Sequence, residues 1–349
     1  MLRMALTIYP WQEDAWQQLH ALRGRLPHAI LLYGNKGIGK TDFAEAYAAS
    51  LLCESPQSDG HACGTCLSCG WFGQYAHPDY RRVRPEILDG GDVADDGEGA
   101  GAGEEKKTAK SSKTPSKEIR IEQIRALADF MNISTHRNGK RVVLLYPAEA
   151  LNTISANALL KTLEEPPPET VFLMVSNSLD RLLPTILSRC RKLALPMPST
   201  TVALAWLAQQ QVRDGDMWLA EQGGAPLAAR ELAQAGSHDH QDELLGMLAR
   251  PSVEAALKVA EKLQKAPVVE LVVCLQRWLH DMFSVKLSGK LRYYPRRHNE
   301  LVALAARIAL PDLLKAIELA RERRAIAQHP LAPRLFIEDM LLDYLHLFS

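Results

Sequence analysis

The chain has 349 residues, 47% of them hydrophobic, and its 41 Lys and Arg balance 41 Asp and Glu to a formal net charge of zero. That length exceeds one ordinary core and implies about two or three domains. The balanced charge excludes a protein that holds nucleic acid through bulk electrostatics alone, leaving only a local basic face for that purpose. The opening residues "MLRMALTIYPWQEDAW" contain no apolar run followed by a small-residue cleavage site. Charges break the later apolar segments well short of a membrane span, so a soluble cytoplasmic protein with no membrane contact is expected.

In chain order, "HAILLY" (28–33) has the composition of a buried strand, and it feeds "GNKGIGKT" (34–41). The pattern G-x-x-x-x-G-K-[ST] is a phosphate cradle. Gly34, Gly37 and Gly39 let backbone N–H groups curl round a β-phosphate, Lys40 reaches the β/γ oxygens, and the Thr41 hydroxyl ligates Mg²⁺. "TDFAEAYAASLLC" (41–53) continues as a helix whose N-terminus is aimed at the phosphates.

Cys53 and "CGTCLSC" (Cys63, Cys66, Cys69) follow. Overlapping C-x-x-C steps with a fourth Cys suit a tetrahedral thiolate zinc site over about 53–69. Four protein ligands leave no open position, so such a zinc is structural. His61 and His77 are expected as surface residues, and Cys190 and Cys274 as small buried apolar ones. The stretch Asp89–Lys117 lacks aromatics, carries one Val, and is acidic then basic. It cannot bury enough apolar surface to offset its ordering entropy and is expected to be disordered.

"IRIEQIRALADFMN" and "ISANALLKTLEEP" are helical patterns, and they alternate with the strand-like "RVVLLY" (141–146) and "VFLMVS" (171–176). This alternation predicts an α/β fold with a parallel sheet. A P-loop hydrolase needs a magnesium-holding acid at the end of a neighbouring strand and a group that activates water. After "RVVLL" this chain has Tyr146 and Pro147, which supply neither. Glu149 is the nearest carboxylate, past a proline that ends the strand, and its expected role is an acid in the first turn of the next helix.

"NALLKTLEEPP" and "TILSRC", taken with "YPW", the phosphate cradle, the four cysteines and the replaced acids, resemble the clamp-loader branch of the AAA+ ATPases. The motifs cover Tyr9 to about Leu195. The resemblance implies an AAA+ P-loop domain over 1–195, a small helical lid over 196–240 and an all-α collar over 241–349. It also implies that Arg189 is an arginine finger acting in trans, and that Asn177 is the polar sensor beside the nucleotide. In hydrolysing relatives the lid carries an Arg where "GAPLAA" here has Leu227, with Arg230 one turn later.

The expected protein is therefore a non-hydrolysing stator that keeps at most weak ATP or ADP binding. Its implied partners are the DNA polymerase III motor subunits (gamma/tau) and the delta subunit. The sliding clamp is engaged indirectly, and primer–template DNA within the assembly. Two rivals stand beside this: an active motor subunit, and a zinc-dependent nucleic-acid module. "GKLRYYPRRH" (289–298), with its cations and tyrosines, suits either a strand-stacking patch or an exposed helix connector. From Pro196 onward every apolar pattern has helical spacing.

Overall fold

The computed structural model describes residues 8–89, 115–133, 135–136, 139–235, 239–327 and 332–348. The insert expected over 89–117 therefore lies, from 90 to 114, outside the described residues. The chain divides into two compact units, Met1–Met197 and Pro198–Ser349.

The first unit is a five-stranded parallel sheet in the order β2–β3–β4–β1–β5. Its strands are β1 (Ala29–Tyr33), β2 (Tyr80–Val83), β3 (Arg141–Leu145), β4 (Thr170–Ser176) and β5 (Arg191–Ala194). The helices of this unit are α1 (Glu13–Ala21), α2 (Lys40–Leu52), α3 (Leu67–Gly73), α4 (Ile121–Asn132), α5 (Thr153–Glu164) and the short α6 (Pro184–Leu187).

The apolar runs in the three central strands follow from two buried faces. Ile30, Leu32, Val142, Leu144, Leu173 and Val175 pack with Phe43, Ala44 and Tyr47 of α2 and Trp16 and Leu19 of α1. The alternate residues Leu31, Val143, Leu145, Phe172 and Met174 pack with Ile124 and Leu127 of α4, Leu159 and Leu163 of α5, and Ile186. A parallel strand covered on both sides reads as continuous hydrophobicity, because both of its side-chain sets enter a core.

The two edge strands, "YRRV" and "RKLA", carry no such signal. Each has one hydrogen-bonded neighbour and carries two adjacent charged residues, as suits an edge strand. In β5 three of the four residues are exposed.

The second unit is helical throughout its described residues: α7 (Thr200–Gln209), α8 (Gly215–Glu221), α9 (Pro226–Ala235), α10 (Asp239–Ala249), α11 (Val253–Leu263), α12 (Val268–Ser288), α13 (His298–Arg307), α14 (Leu310–Ile326) and α15 (Pro333–Leu345). Its main core gathers Trp278, Leu279 and Met282 of α12 with Leu263, Leu301, Leu313, Ile337 and Leu341. The Trp278 indole donates to Tyr344 Oη at 3.0 Å, and that hydroxyl donates to the Leu248 carbonyl at 2.7 Å. Both amphipathic aromatics thus have their polar ends satisfied inside an apolar core.

"GKLRYYPRRH" joins α12 to α13 as a mostly exposed connector, with Tyr294 the exception. The buried Asp281 carboxylate accepts the backbone N–H groups of Arg292, Tyr293 and Tyr294, and Tyr294 is buried. One of the two tyrosines is therefore a core residue, and the loop is fixed by a charge-assisted anchor.

Candidate functional site

The register of the sheet assembles the site. Tyr33 pairs with Ser176, and Leu145 pairs with Met174, so β1, β4 and β3 end side by side. Gly34 leaves the first, Asn177 the second and Tyr146 the third, with Asn177 in the middle. Parallel sheets bind ligands in this position, at the carboxyl ends of the strands.

The cradle turns sharply from β1 into α2. Gly37 and Gly39 have φ of 79° and 80°, the left-handed region where a side chain is strained. Space enforces glycine at two positions as well. A Cβ on Gly39 would lie 2.2 Å from the Tyr9 ring, and one on Gly34 would lie 2.4 Å from the Leu195 carbonyl oxygen.

Residues 9–12 clamp the loop from outside. Tyr9 and Trp11 stack at 4.9 Å between ring centroids. Trp11 Nε1 donates to the Ile38 carbonyl at 3.0 Å, and Gln12 Nε2 donates to the Ile38 and Gly39 carbonyls, both at 2.9 Å. Tyr9 Oη donates to Asp42 of α2 at 2.7 Å. Gln12 is wholly buried, so a side chain with no conspicuous sequence signal holds the turn.

Lys40 is 5% exposed. Its ammonium donates to the Asn35 carbonyl at 2.6 Å and to Asn177 Oδ1 at 2.8 Å. Burial pushes its pKa down to about 8, partly opposed by the attraction of Glu149. The same Asn177 turns its other side to Glu149. Its Nδ2 donates to Oε1 at 2.8 Å, and its backbone N–H reaches Oε1 at 3.1 Å and Oε2 at 3.3 Å. Lys40, Asn177 and Glu149 thus form one chain of hydrogen bonds across the ends of β1, β4 and β3.

Glu149 departs from its expected place. It sits in a 3-10 turn, Ala148–Ala150, and α5 is capped instead by Asn152, whose side chain accepts from Ser155 N. The three-residue turn after Pro147 folds the carboxylate back to the strand ends, which spacing along an extended strand does not reveal. The position at the end of β3 itself is filled by Tyr146, whose hydroxyl accepts from Arg84 Nη1 at 3.1 Å. Burial holds the Tyr146 phenol above its ordinary pKa, so it remains a neutral hydroxyl.

Arg189 lies elsewhere. It lies two residues before β5, and Arg191 pairs with Ile30 near the start of β1, so it is at the amino edge of the sheet. A strand of this length spans roughly 16 Å, which puts Arg189 at the opposite end of β1 from the chain's own cradle. Its guanidinium pairs with Glu164 at the end of α5 and donates to the Thr185 carbonyl at 2.9 Å. Arg230 has its guanidinium 5.3 Å from the Trp206 ring, and Leu227 is buried.

The four cysteines converge. Cys53 caps the C-terminus of α2, Cys66 caps the N-terminus of α3, and Cys69 lies in the first turn of α3. All four Sγ atoms lie within 4.8 Å of one another, with Cys53–Cys66 and Cys63–Cys69 at 3.9 Å. Metal–sulfur bonds of about 2.3 Å in a tetrahedron set sulfurs about 3.8 Å apart, so the cluster fits a metal ion. The Cys63 sulfur accepts N–H groups of Thr65 and Cys66, which favour its thiolate and bring its pKa to about 6.

Of the two nearby histidines, one differs from expectation. His77 is buried, with Nε2 2.9 Å from Ser68 Oγ and Nδ1 accepting from Asp79 N at 3.0 Å. His61 stacks on Trp16 at 4.1 Å. Cys190 and Cys274 are buried as expected.

Residues 11–199 match the family described as DNA polymerase III, delta subunit. The DNA polymerase III subunit delta' of Pseudomonas aeruginosa is 35% identical over 96% of this chain and 90% of that protein. The subunit of the same name from Escherichia coli K12 is 32% identical over 69% of this chain, which spans 65% of that relative. A solved gamma subunit-related protein from Thermotoga maritima is 16% identical, with a TM-score of 0.44 over 97% of this chain and 100% of that one.

Proposed function

The chain belongs to the DNA polymerase III delta' family, and from that premise we propose that it is the non-hydrolysing stator of a clamp loader, able to hold a nucleotide but supplying catalysis only to a neighbour. The observation that carries this is the end of β3. The place for a magnesium-binding acid holds the neutral Tyr146, hydrogen-bonded to Arg84. Neither group can hold a cation.

In this reading the cradle of Gly34, Gly37, Gly39, Lys40 and Thr41, with Asn177, takes ATP or ADP weakly. Arg189 exchanges Glu164 for the γ-phosphate of an ATP bound to an adjoining motor subunit. An Arg suits that task because its fixed charge and planar fork match the charge developing on the transferring phosphoryl group. The exchange costs little, since an exposed ion pair such as Arg189–Glu164 contributes about 1 kcal/mol or less.

The four cysteines hold a structural zinc. Residues 196–240 serve as a lid and 241–349 as the collar that joins the gamma/tau and delta subunits, so that the assembly places the sliding clamp on primed DNA.

One observation favours the alternative of an active ATPase: Glu149 does reach the strand ends. Steady phosphate release by the isolated chain separates the two. The stator releases none above background. Turnover that Lys40→Ala abolishes would assign it to the motors.

A further inference from the structure

We propose that Glu149 makes the cradle selective for nucleoside diphosphates, acting as a built-in carboxylate that excludes the γ-phosphate. The inference rests on the reading that the cradle still holds nucleotide, and it adds which one.

A P-loop lysine reaches the β and γ oxygens of its ligand. Lys40 Nζ therefore marks where those oxygens go, and it lies 2.8 Å from Asn177 Oδ1. The far side of that same amide is bound to Glu149 Oε1 at 2.8 Å. The carboxylate is thus one side-chain amide away from the ammonium that a terminal phosphate would meet. It is also tethered, because the Asn177 backbone N–H reaches both of its oxygens, at 3.1 and 3.3 Å.

A free surface glutamate would rotate away from an incoming anion. Here rotation forfeits the hydrogen bonds that also orient Asn177. A diphosphate can take the Lys40 ammonium and the backbone N–H groups of residues 34–41 without approaching Glu149. A triphosphate brings its most highly charged group against a negative charge that is half-buried and fixed by three hydrogen bonds to the exposed Asn177. No acid at the end of β3 supplies a bound cation to offset the repulsion, since Tyr146 stands there.

Equilibrium binding of fluorescent ADP and ATP analogues to the full chain tests this in the presence of magnesium. The native chain should bind the diphosphate about tenfold more tightly. Glu149→Gln keeps an oxygen to accept from Asn177 but removes the charge. It should bring the two affinities within about twofold, by gaining triphosphate rather than losing diphosphate. Equal affinities in the native chain would overturn the proposal, as would an unchanged ratio in the variant or no detectable binding of either nucleotide. The stator reading stands or falls separately, on turnover.

Discussion

Lys40 shows how little a motif says about the state of its own residues. The sequence pattern places a lysine at the phosphates, and one of its partners, Asn177, lies 137 residues further on, just past the end of β4. Its ammonium is already engaged with Asn35 and Asn177, and burial lowers its pKa to about 8. Phosphate binding needs the charged form, and above pH 7 the ligand's own charge no longer changes much. Nucleotide affinity should therefore fall as pH rises past about 8, approaching tenfold per unit. An exposed lysine would hold its proton to about pH 10. Titrating ADP at pH 7, 8 and 9 checks this, and an affinity constant across that range would contradict it. The glycines, Lys40 and the missing acid were legible because each is a local requirement of backbone or charge. Glu149 was not, because its role depends on a 3-10 turn that reverses its direction after Pro147. Gln12 escaped for a similar reason, as a buried amide serving carbonyls 26 and 27 residues away.

At the scale of elements, the legible parts of the sheet are those with two buried faces. β1, β3 and β4 stand out as apolar runs, whereas β2 and β5 are edge strands whose arginines and lysine hide them. Helices α10 to α15 were readable because each keeps apolar residues toward a common core. The cysteine module illustrates an element held by chemistry in place of area. It ties the end of α2 to the start of α3, and its own apolar burial is slight beyond Cys69 and Phe72. Removing the metal should release one ion per chain and lower the melting temperature by on the order of 5 °C. Cys66→Ser should do the same, since Cys66 is both one of the four candidate ligands and the cap of α3. Calorimetry with and without a chelator reads the effect. An unchanged melting curve, or no metal in the purified chain, would count against the zinc assignment.

At the scale of the whole molecule, the sheet separates two duties. The carboxyl ends of its strands carry a cradle closed by Lys40, Asn177 and Glu149, while the amino edge carries Arg189 beside β5. A residue at that edge cannot reach the chain's own phosphates, so any catalytic use of Arg189 is for another subunit. Sequence resemblance implies that role, and the position of Arg189 is consistent with a finger that serves another subunit. The division of the second unit into lid and collar is a proposal, since residues 198–349 gather as one compact unit. The most direct measurement is the DNA-dependent ATPase of the reconstituted clamp loader carrying Arg189→Ala. An arginine finger contributes on the order of a thousandfold or more to turnover at the site it serves. The variant should therefore assemble normally, with that one motor site silenced and clamp loading reduced. Assembly with undiminished ATPase and clamp loading would contradict the account.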